Sequence, residues 1–267
     1  MLIAQLTDTH VLAPDVPGRD GVDHNDRLRQ AIASINAERP RPDLVLATGD
    51  MTNDGEPAEL AAAVEMLAEI EAPLALLPGN HDDQVSFRAA FDMPWADDTH
   101  LSWTLDVGPV TVIGLDCTVP GEGYGLFDAE RAAWLAAAAE ATEGRPTLLA
   151  LHHPPFRSGI TLMDGLMLRN AEAFIAAVAA APHIRRVVCG HLHRPATAVL
   201  GAPASVVVST CPSTVSHPAL DLDPDGAFRI IDDPVGYQLH RYTDGEWLTH
   251  TRYVATGREP FVPGSGG

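Results

Sequence analysis

The chain has 267 residues, of which 46% are hydrophobic and 20% are charged, as in an ordinary globular protein. Its formal net charge of −19 repels polyanions at long range, which argues against a general DNA- or RNA-binding surface. No apolar run approaches the ~20 residues that a membrane-spanning helix needs, so we expect no membrane partner.

Short apolar, β-branched runs alternate along the chain with helical patterns. The runs predict seven strands, at residues 2–7, 43–48, 73–77, 110–115, 147–151, 184–189 and 204–209. Apolar residues with helical spacing predict two helices between the first three runs: Leu28, Ile32 and Ile35, then Leu60, Val64 and Leu67. The alanine-rich segments 128–141 and 171–181 predict two more helices. This alternation favours an α/β protein whose loops gather at the carboxyl ends of the strands.

After about residue 200 the pattern changes to short strands separated by turn residues, and no helix is predicted. We expect this strand-rich tail, about 200–260, to pack on or extend the same body, so that residues 1–260 form a single domain. Residues 156–170 mix glycine with methionine and leucine, and could cap a pocket or form a surface loop beside a helix. The last residues, 261–267, are expected to be disordered.

The three cysteines are scattered and form no CxxC pair. Because an odd number cannot all pair within one chain, we expect reduced, buried thiols. The first residues show neither the basic segment nor the cleavage site of a secretory signal. Both observations favour a cytoplasmic protein.

Nearly every predicted strand is followed by residue types that bind metals. In chain order these are Asp8 and His10, Asp50, Asn80 and His81, His152 and His153, and His191 and His193. Alternate side chains of an extended or turn segment lie on the same side, so Asp-x-His and His-x-His can each reach one centre or two adjacent centres. Carboxylate and imidazole groups without cysteine suit Zn, Mn, Fe or Co.

Each of these residues has a structural explanation when it is taken alone. Asp8 could belong to a turn, Asp50 could cap a helix, and His152 could be hydrogen-bonded in the core. Five strand ends that carry such residues together, each beside glycine or proline, have no packing rationale. Buried ionisable groups are costly unless they are paired or metal-bound. We therefore interpret the set as a metal site.

The motifs resemble those of the calcineurin-like metallophosphoesterase superfamily: Asp8-x-His10, Gly49-Asp50, Gly79-Asn80-His81, His152 and Gly190-His191-x-His193. Within it, the stretches LTDTH, GEP, PGNHDD, HHPP and CGHLHRP are most similar to bacterial class III cyclic-nucleotide and glycerophosphodiester phosphodiesterases. The motifs span residues 8–193. The resemblance implies an α/β (α+β) fold, a four-layer αββα sandwich of two mixed β-sheets flanked by helices, with a dinuclear metal centre at one edge.

The resemblance also implies which residues bind the two ions. One ion would be held by Asp8, His10 and His193, the second by Asn80, His152 and His191, and Asp50 would bridge them. A carboxylate bridge offsets the repulsion between two ions that lie ~3.5–4 Å apart. A metal-bridging hydroxide would be the nucleophile that attacks phosphorus, which makes Asp50 a catalytic residue as well as a ligand. We expect two divalent ions, iron or manganese, with zinc or cobalt as alternatives.

Other residues are candidates for contact with the substrate. The resemblance implies that Asn80 and His81 lie at the phosphate and that His81 assists the leaving group as a catalytic residue. His81 could instead only hydrogen-bond a metal ligand. His217 and Asn53 are further candidates for the phosphate pocket, with an ordinary loop role as the alternative. His153 is expected to be structural.

Three functions fit this site. The first is a phosphodiesterase acting on small diesters, either 3′,5′-cyclic nucleotides such as cAMP or glycerophosphodiesters. The second is a phosphomonoesterase, a protein phosphatase or a nuclease, and the third is an inactive metal-binding scaffold.

The residue types at and near the motifs rank these three functions. The scaffold is disfavoured because no ligand position is missing. Protein phosphatases of the superfamily carry glutamate after the Gly-Asn-His turn and arginines that clamp phosphate, whereas Asp82 follows here and few arginines lie near the motifs. A nuclease would need a basic groove. The diesterase leads, with a small-molecule substrate, no nucleic-acid polymer, and a homo-oligomer left open.

Overall fold

Two mixed β-sheets form the body of the protein in a computed structural model that describes residues 1–18, 20–91, 93, 100–201 and 205–254. The described strands are β1 (Leu2–Leu6), β2 (Leu44–Thr48), β3 (Leu74–Leu77), β4 (Trp103–Val107), β5 (Val110–Gly114), β6 (Gly125–Leu126), β7 (Thr147–Ala150), β8 (Leu168–Arg169), β9 (Ile184–Cys189), β10 (Ala196–Leu200), β11 (Val206–Thr210), β12 (His217–Pro218), β13 (Ile230–Ile231), β14 (Gly236–Thr243) and β15 (Glu246–Tyr253). The described helices are α1 (His24–Ala37), α2 (Pro57–Leu67), α3 (Gln84–Ala90), α4 (Ala129–Ala141), α5 (Thr161–Gly165) and α6 (Ala171–Ala179). Segment 261–267, for which we expect disorder, lies outside the described residues.

The first sheet has the strand order β15-β14-β1-β2-β3. Strands β1, β2 and β3 are parallel, whereas β14 and β15 are antiparallel additions from the tail. Asp244 and Gly245 connect β14 to β15 with positive φ angles of 52° and 88°, the backbone that a two-residue hairpin turn requires. Strands β14 and β15 of the tail therefore extend the first sheet, and a single domain over residues 1–260 stays a prediction.

The second sheet has the strand order β10-β11-β9-β7-β5-β4. Its four central strands are parallel, and antiparallel strands β10 and β4 form the two edges. Strand β7 is buried at all four positions. Burial on both faces explains why the central strands appear in the sequence as continuous apolar runs.

The sheets pack face to face, and helices cover their outer faces. One hydrophobic cluster joins helix α1, helix α2 and the first sheet to Val112, Leu148 and Val188 of the second sheet. Another joins the outer face of the second sheet to α4 and α6, through Leu135 and Phe174 among others. The predicted four-layer αββα sandwich is confirmed.

Residues 156–170 contain the short helix α5 and strand β8. Ile160 and Met163 pack against Leu192, which lies between two predicted metal ligands. The segment is therefore in contact with the loop that follows β9. None of the described helices is both long enough and apolar enough to cross a membrane.

Candidate metal centre

The predicted ligands lie on tight loops at the carboxyl ends of the parallel strands. Five of them have positive φ angles, between 42° and 66°: Asp8, His10, Asp50, His191 and His193. This left-handed conformation is uncommon for residues other than glycine. It persists only where the surrounding structure holds it, and it concentrates at functional sites. The shared backbone conformation indicates that these loops are built to aim their side chains.

Two glycines of the motifs are required by close approach of the loops. A Cβ atom at Gly79 would lie 2.1 Å from Asp50 Oδ1, and a Cβ atom at Gly190 would lie 2.1 Å from Thr7 Oγ1 and 2.8 Å from Asp8 Oδ2. Any side chain at either position would push a carboxylate out of the centre. Glycine is therefore part of the site although it offers no ligand.

The residues that the resemblance assigns to the first ion, together with the bridge, lie within one cluster. Ligand atoms of Asp8, His10, Asp50 and His193 lie within 4.8 Å of one another. His10 Nε2 is 3.7 Å from Asp50 Oδ2, and His193 Nε2 is 3.4 Å from Asp8 Oδ1. Two carboxylates and two imidazoles thus face a common point.

The residues assigned to the second ion adjoin this cluster on the other side of Asp50. His152 Nε2 lies 3.2 Å from Asp50 Oδ2. His191 Nδ1 lies 3.0 Å from Asn80 Oδ1. Asp50 therefore faces both groups, as a bridging ligand must.

His153 also reaches the second group, although we expected it to be structural. One ring nitrogen of each of His152, His153 and His191 lies within 4.8 Å of the others. Both nitrogens have other neighbours, however, since Nδ1 lies 3.5 Å from Cys117 Sγ and Nε2 lies 3.3 Å from the Gly123 carbonyl oxygen. Burial, followed by repulsion from His152, lowers the pKa of His153 to about 3. A neutral histidine with both nitrogens in contact fits a role in packing the ligands.

Backbone carbonyls orient two of the imidazoles. His152 Nδ1 donates to the Thr48 carbonyl at 2.7 Å, and His193 Nδ1 donates to the Ser216 carbonyl at 2.8 Å. Each bond places the proton on Nδ1 and leaves Nε2 as the atom that faces the centre. This is the usual way in which a protein fixes the tautomer of a metal-binding histidine.

Two buried nitrogens test whether the residues fit metal ions. The Nε2 atom of His191 is buried without a hydrogen-bond partner among the described residues, and that of His152 is buried with the Asp50 carboxylate 3.2 Å away as its charged neighbour. Leaving a polar atom buried without a partner costs free energy that a bound cation would recover. Carboxylate, imidazole and amide donors together match the preferences of divalent transition metals. The residues present therefore fit a dinuclear site.

Protonation of the ligands reflects burial and the Asp50 charge. Burial opposes protonation of His152, but the Asp50 carboxylate outweighs it and raises the pKa of His152 to about 9. Burial raises the pKa of a carboxyl group, yet His152 more than offsets this and holds the pKa of Asp50 well below its ordinary value. Burial keeps the pKa values of His10 and His191 well below the ordinary value. Burial also raises the pKa of Asp8.

His81 lies at the mouth of the site rather than inside it. Its backbone N–H donates to Asp50 Oδ1 at 2.9 Å, its Nδ1 lies 2.5 Å from the Asn53 carbonyl oxygen, and its ring meets the ring of His10 edge-on at 4.7 Å. Burial lowers the pKa of His81, but Asp50 and the Asn53 carbonyl outweigh burial and leave the pKa raised. Asn53 uses its side-chain amide on Asp54 at 2.9 Å, so its carbonyl is its link to the site.

His217 is buried, with 2% of its surface exposed, directly after the Ser216 that orients His193. Its Nε2 is buried without a hydrogen-bond partner among the described residues. Burial, followed by the charges of His193 and Arg194, lowers the pKa of His217 to about 4. The structure thus places a neutral imidazole beside the first group of ligands.

The sequence analysis missed the role of Asp82. Its carboxylate is buried and accepts hydrogen bonds from Gly79 N, Met51 N and Thr52 N at 2.9, 3.1 and 2.9 Å. Burial and then the Asp50 charge raise the pKa of Asp82 to about 6. The only signal in the sequence is the acidic residue that directly follows the Gly-Asn-His turn.

A cavity of about 280 Å³ opens onto His10, His81 and His193. Its other lining residues are Leu12, Val16, Pro17, Asp20, His24, Asn53, Asp54, Glu59, Val215 and Ser216. The lining contains carboxylates and apolar side chains but neither arginine nor lysine among the described residues. A ligand at the metal centre would extend into this cavity.

Known proteins are similar to this chain in sequence and in fold. The family model described as calcineurin-like phosphoesterase matches residues 1–195. A probable glycerophosphodiester phosphodiesterase GpdQ of Arcobacter nitrofigilis is 31% identical over 265 residues, covering 98% of this chain and 96% of that one. A probable cyclic nucleotide phosphodiesterase of Rhodococcus erythropolis is 37% identical over 214 residues, covering 78% and 70%.

A solved dimetal phosphatase from Danio rerio superposes with a TM-score of 0.70 at 12% identity, covering 96% of each chain. At that identity the likeness shows the fold alone. The family match, by contrast, spans every predicted ligand between Asp8 and His193. The chain belongs to the calcineurin-like phosphoesterase family.

Proposed function

We propose that the protein is a metal-dependent phosphodiesterase that hydrolyses small phosphodiesters. One observation carries the proposal: the Asp50 carboxylate lies between two adjoining groups of candidate ligands, with Oδ2 3.7 Å from His10 Nε2 and 3.2 Å from His152 Nε2. Full-length similarity to a protein named as a phosphodiesterase supports the same reaction class.

The ligands would hold two divalent cations. One would be bound by Asp8, His10 and His193, the other by Asn80, His152 and His191, with Asp50 shared between them. When bound, the cations supply Lewis acidity at the phosphoryl oxygens and lower the pKa of water. We favour iron or manganese, with zinc or cobalt as alternatives, because mixed carboxylate, amide and imidazole donors accept all four.

His81 is the side chain best placed to move a proton. It lies at the mouth of the cavity, and its raised pKa makes the imidazolium form more populated than in an ordinary histidine at the same pH. An imidazolium at that position can donate a proton to the departing alcohol oxygen of the substrate. The Asn53 carbonyl fixes Nδ1, so Nε2 is the atom that would donate.

The charge of the cavity favours a diester over a monoester. A monoester carries two negative charges near neutral pH, whereas a diester carries one. The lining has the carboxylates of Asp20, Asp54 and Glu59, and its described residues include neither arginine nor lysine. The nearby Arg194 is paired with Asp233 at 2.8 Å. A dianion would therefore be repelled more strongly than a monoanion, which disfavours the phosphomonoesterase and protein phosphatase alternatives.

Two classes of small diester are candidates. The described lining residues include no Phe, Tyr or Trp on which a nucleobase could stack, while Asn53, Asp20 and Asp54 offer oxygens to alcohol hydroxyl groups. This composition favours glycerophosphodiesters. Cyclic nucleotides are the second candidate, since a relative that is 37% identical is named for them.

A substrate panel on metal-free and reloaded protein tests the proposal. Chelator-treated protein would be assayed with added Mn, Fe, Co or Zn on glycerophosphodiesters, cyclic AMP, 2′,3′-cyclic nucleotides and aryl monoesters. We expect no hydrolysis without metal, and at least about a tenfold higher kcat/KM for the best diester than for any monoester, a difference of about 1.4 kcal/mol. The Asp50→Ala variant, prepared in parallel, controls for contaminating hydrolases. A preference for monoesters would contradict the proposal.

Location and assembly are parts of the same proposal. Cys117, Cys189 and Cys211 are free and buried, which supports a reducing compartment such as the cytoplasm. Ile160 and Met163 contact Leu192 between two ligands, but residues 156–170 do not line the cavity described above, so a cap formed by this segment stays a prediction. A homo-oligomer stays an expectation, and light scattering on the purified protein measures it.

A further inference from the structure

The carboxylate of Asp82 joins two of the loops that carry metal ligands. It accepts the backbone N–H of Met51 and of Thr52 on the loop after β2, at 3.1 and 2.9 Å, and the Thr52 hydroxyl at 2.8 Å. It also accepts the N–H of Gly79 on the loop after β3, at 2.9 Å. One side chain therefore clamps the residue before Asn80 to the residues after Asp50.

A reciprocal bond runs in the other direction. Asp50 Oδ1 accepts the backbone N–H of His81 at 2.9 Å. Each loop thus supplies a carboxylate that binds backbone amides of the other loop. The distance between the bridging carboxylate and Asn80 depends on both clamps, because the two ligands belong to different strands and have no covalent link nearby.

Asp82 itself is not placed to bind an ion. It belongs to neither cluster of candidate ligands, and both of its oxygens already accept hydrogen bonds from the two loops. Its exposed fraction is 7%, so water does not compensate if these bonds are lost. The negative charge of Asp82 therefore strengthens the hydrogen bonds that join the two loops.

We infer that Asp82 is a positioning residue that sets the spacing of Asp50 and Asn80 and thereby the affinity of the second ion. This inference rests on the two-metal site of the proposed function. A carboxylate is required because four donors converge on its two oxygens. An asparagine would keep one carbonyl oxygen and turn an NH₂ group towards at least one N–H donor, which breaks the clamp.

Metal titration of the purified full chain tests the inference without relying on activity. Calorimetric titration of metal-free protein with Mn²⁺ would give the affinity of each ion for the parent protein and for Asp82→Asn. We expect the second ion to bind about 10–100-fold more weakly in the variant, the range found for outer partners of metal ligands. The first ion shares Asp50 but is also held by Asp8, His10 and His193, so its affinity should fall by a smaller factor than that of the second ion.

Asp83→Asn is the matched control. Asp83 is the next residue, and its carboxylate accepts Ser86 N at 2.8 Å at the start of α3. It has no bond to Met51 or Thr52 among the described contacts. This variant removes the same charge from the same turn, so its two affinities should equal those of the parent.

A second pair of variants decides the question if Asp82→Asn does not fold. Thr52→Val removes the hydroxyl that Asp82 accepts and keeps the backbone N–H, whereas Thr52→Ser keeps both. We expect the second ion to be weakened by Thr52→Val and restored by Thr52→Ser. Equal affinities in the three proteins would overturn the inference.

Two further outcomes distinguish a failure of the role inferred for Asp82 from a failure of the two-metal site on which that role rests. If Asp82→Asn binds both ions as the parent does, or weakens both ions equally together with a lower melting temperature of the metal-free protein, Asp82 is not a positioning residue. If the parent protein itself binds fewer than two ions, the proposed two-metal site is wrong.

Discussion

The Nε2 atoms of His10 and His193 lie 3.1 Å apart, although the residues are separated by 183 positions in the chain. Two ring nitrogens at this distance share either an N–H proton or a cation. His193 donates from Nδ1 to the Ser216 carbonyl, so its Nε2 lone pair can accept a proton from neutral His10 or bind a cation. Asp8 and Asp50 belong to the same cluster and would compensate the charge of a bound cation.

Replacing Asp50 with alanine should abolish metal-dependent hydrolysis. The variant loses the carboxylate that lies 3.7 Å from His10 Nε2 and 3.2 Å from His152 Nε2, and we expect a rate loss on the order of 10²-fold or more. Metal content per chain and the rate on an aryl diester measure the effect. Asp26→Ala, an exposed residue on α1, is the control, and a fully active Asp50→Ala protein would contradict the shared bridge.

Replacing His81 with alanine should leave metal content nearly intact while lowering kcat by about 10²–10⁴-fold, the usual contribution of a general acid. His81 lies at the cavity mouth and holds Nδ1 on the Asn53 carbonyl. Because its raised pKa favours the proton-bearing form, the parent rate should fall as pH rises through that pKa. The variant should lack this alkaline decline, whereas loss of bound metal would place His81 among the ligands.

Metal binding should release a proton from His152. The pKa of His152 is raised to about 9, so the metal-free protein carries this proton near neutral pH, whereas a ligand must be deprotonated. The apparent metal affinity should therefore increase with pH up to about 9. Calorimetry in two buffers of different ionisation enthalpy counts the protons, and the absence of any release would contradict the assignment.

The same group affects stability when no metal is bound. A histidine whose pKa is raised in the folded state contributes stability that is complete below its unfolded pKa, near 6.5. That contribution is lost as pH rises to about 9. Metal-free protein should consequently lose melting temperature across this window, and His152→Gln should show a smaller loss.

Replacing Asn80 with aspartate should tighten the second ion and lower turnover. Asn80 Oδ1 lies 3.0 Å from His191 Nδ1 and presents a neutral oxygen to a site that already has the Asp50 charge. An added carboxylate would bind the cation more strongly and repel an anionic diester. Metal affinity and kcat measured on the same preparation test this, and an unchanged affinity would remove Asn80 from the ligand set.

The central strands and the motifs were predictable because their signals are local. Strand β2 is buried at all five positions, so it appears in the sequence as an uninterrupted apolar run. Ligands that directly follow such runs are visible as short motifs. Asp50 stands out because it comes two residues after Thr48, the last residue of its strand.

Strand β4 was missed because its signal is mostly tertiary. As an edge strand, Trp103–Val107 has exposed or half-buried positions at Thr104, Leu105 and Asp106. The side chain of Trp103 is fixed by donating to the Leu76 carbonyl at 2.7 Å, a contact with the other sheet. The five residues of β4 contain no sequence signal that predicts the contact between Trp103 and Leu76.

The orientation of the ligands could not be predicted for a similar reason. His152 and His193 depend on the backbone carbonyls of Thr48 and Ser216, and every residue type has a carbonyl group. Asp82 differs from these carbonyls because its function depends on a carboxylate side chain. Even so, the sequence does not indicate that this carboxylate accepts the N–H of Gly79, which is visible only in the folded loops. The identity of the ligands can thus be predicted from short sequence motifs, whereas their orientation depends on tertiary contacts that the motifs do not contain.

Anomalous diffraction from crystals of the Mn²⁺-loaded protein tests the central claim most directly. We predict two peaks, one among Asp8, His10, Asp50 and His193 and the other among Asp50, Asn80, His152 and His191. A single peak, or a second ion held by His153 in place of Asn80, would contradict it.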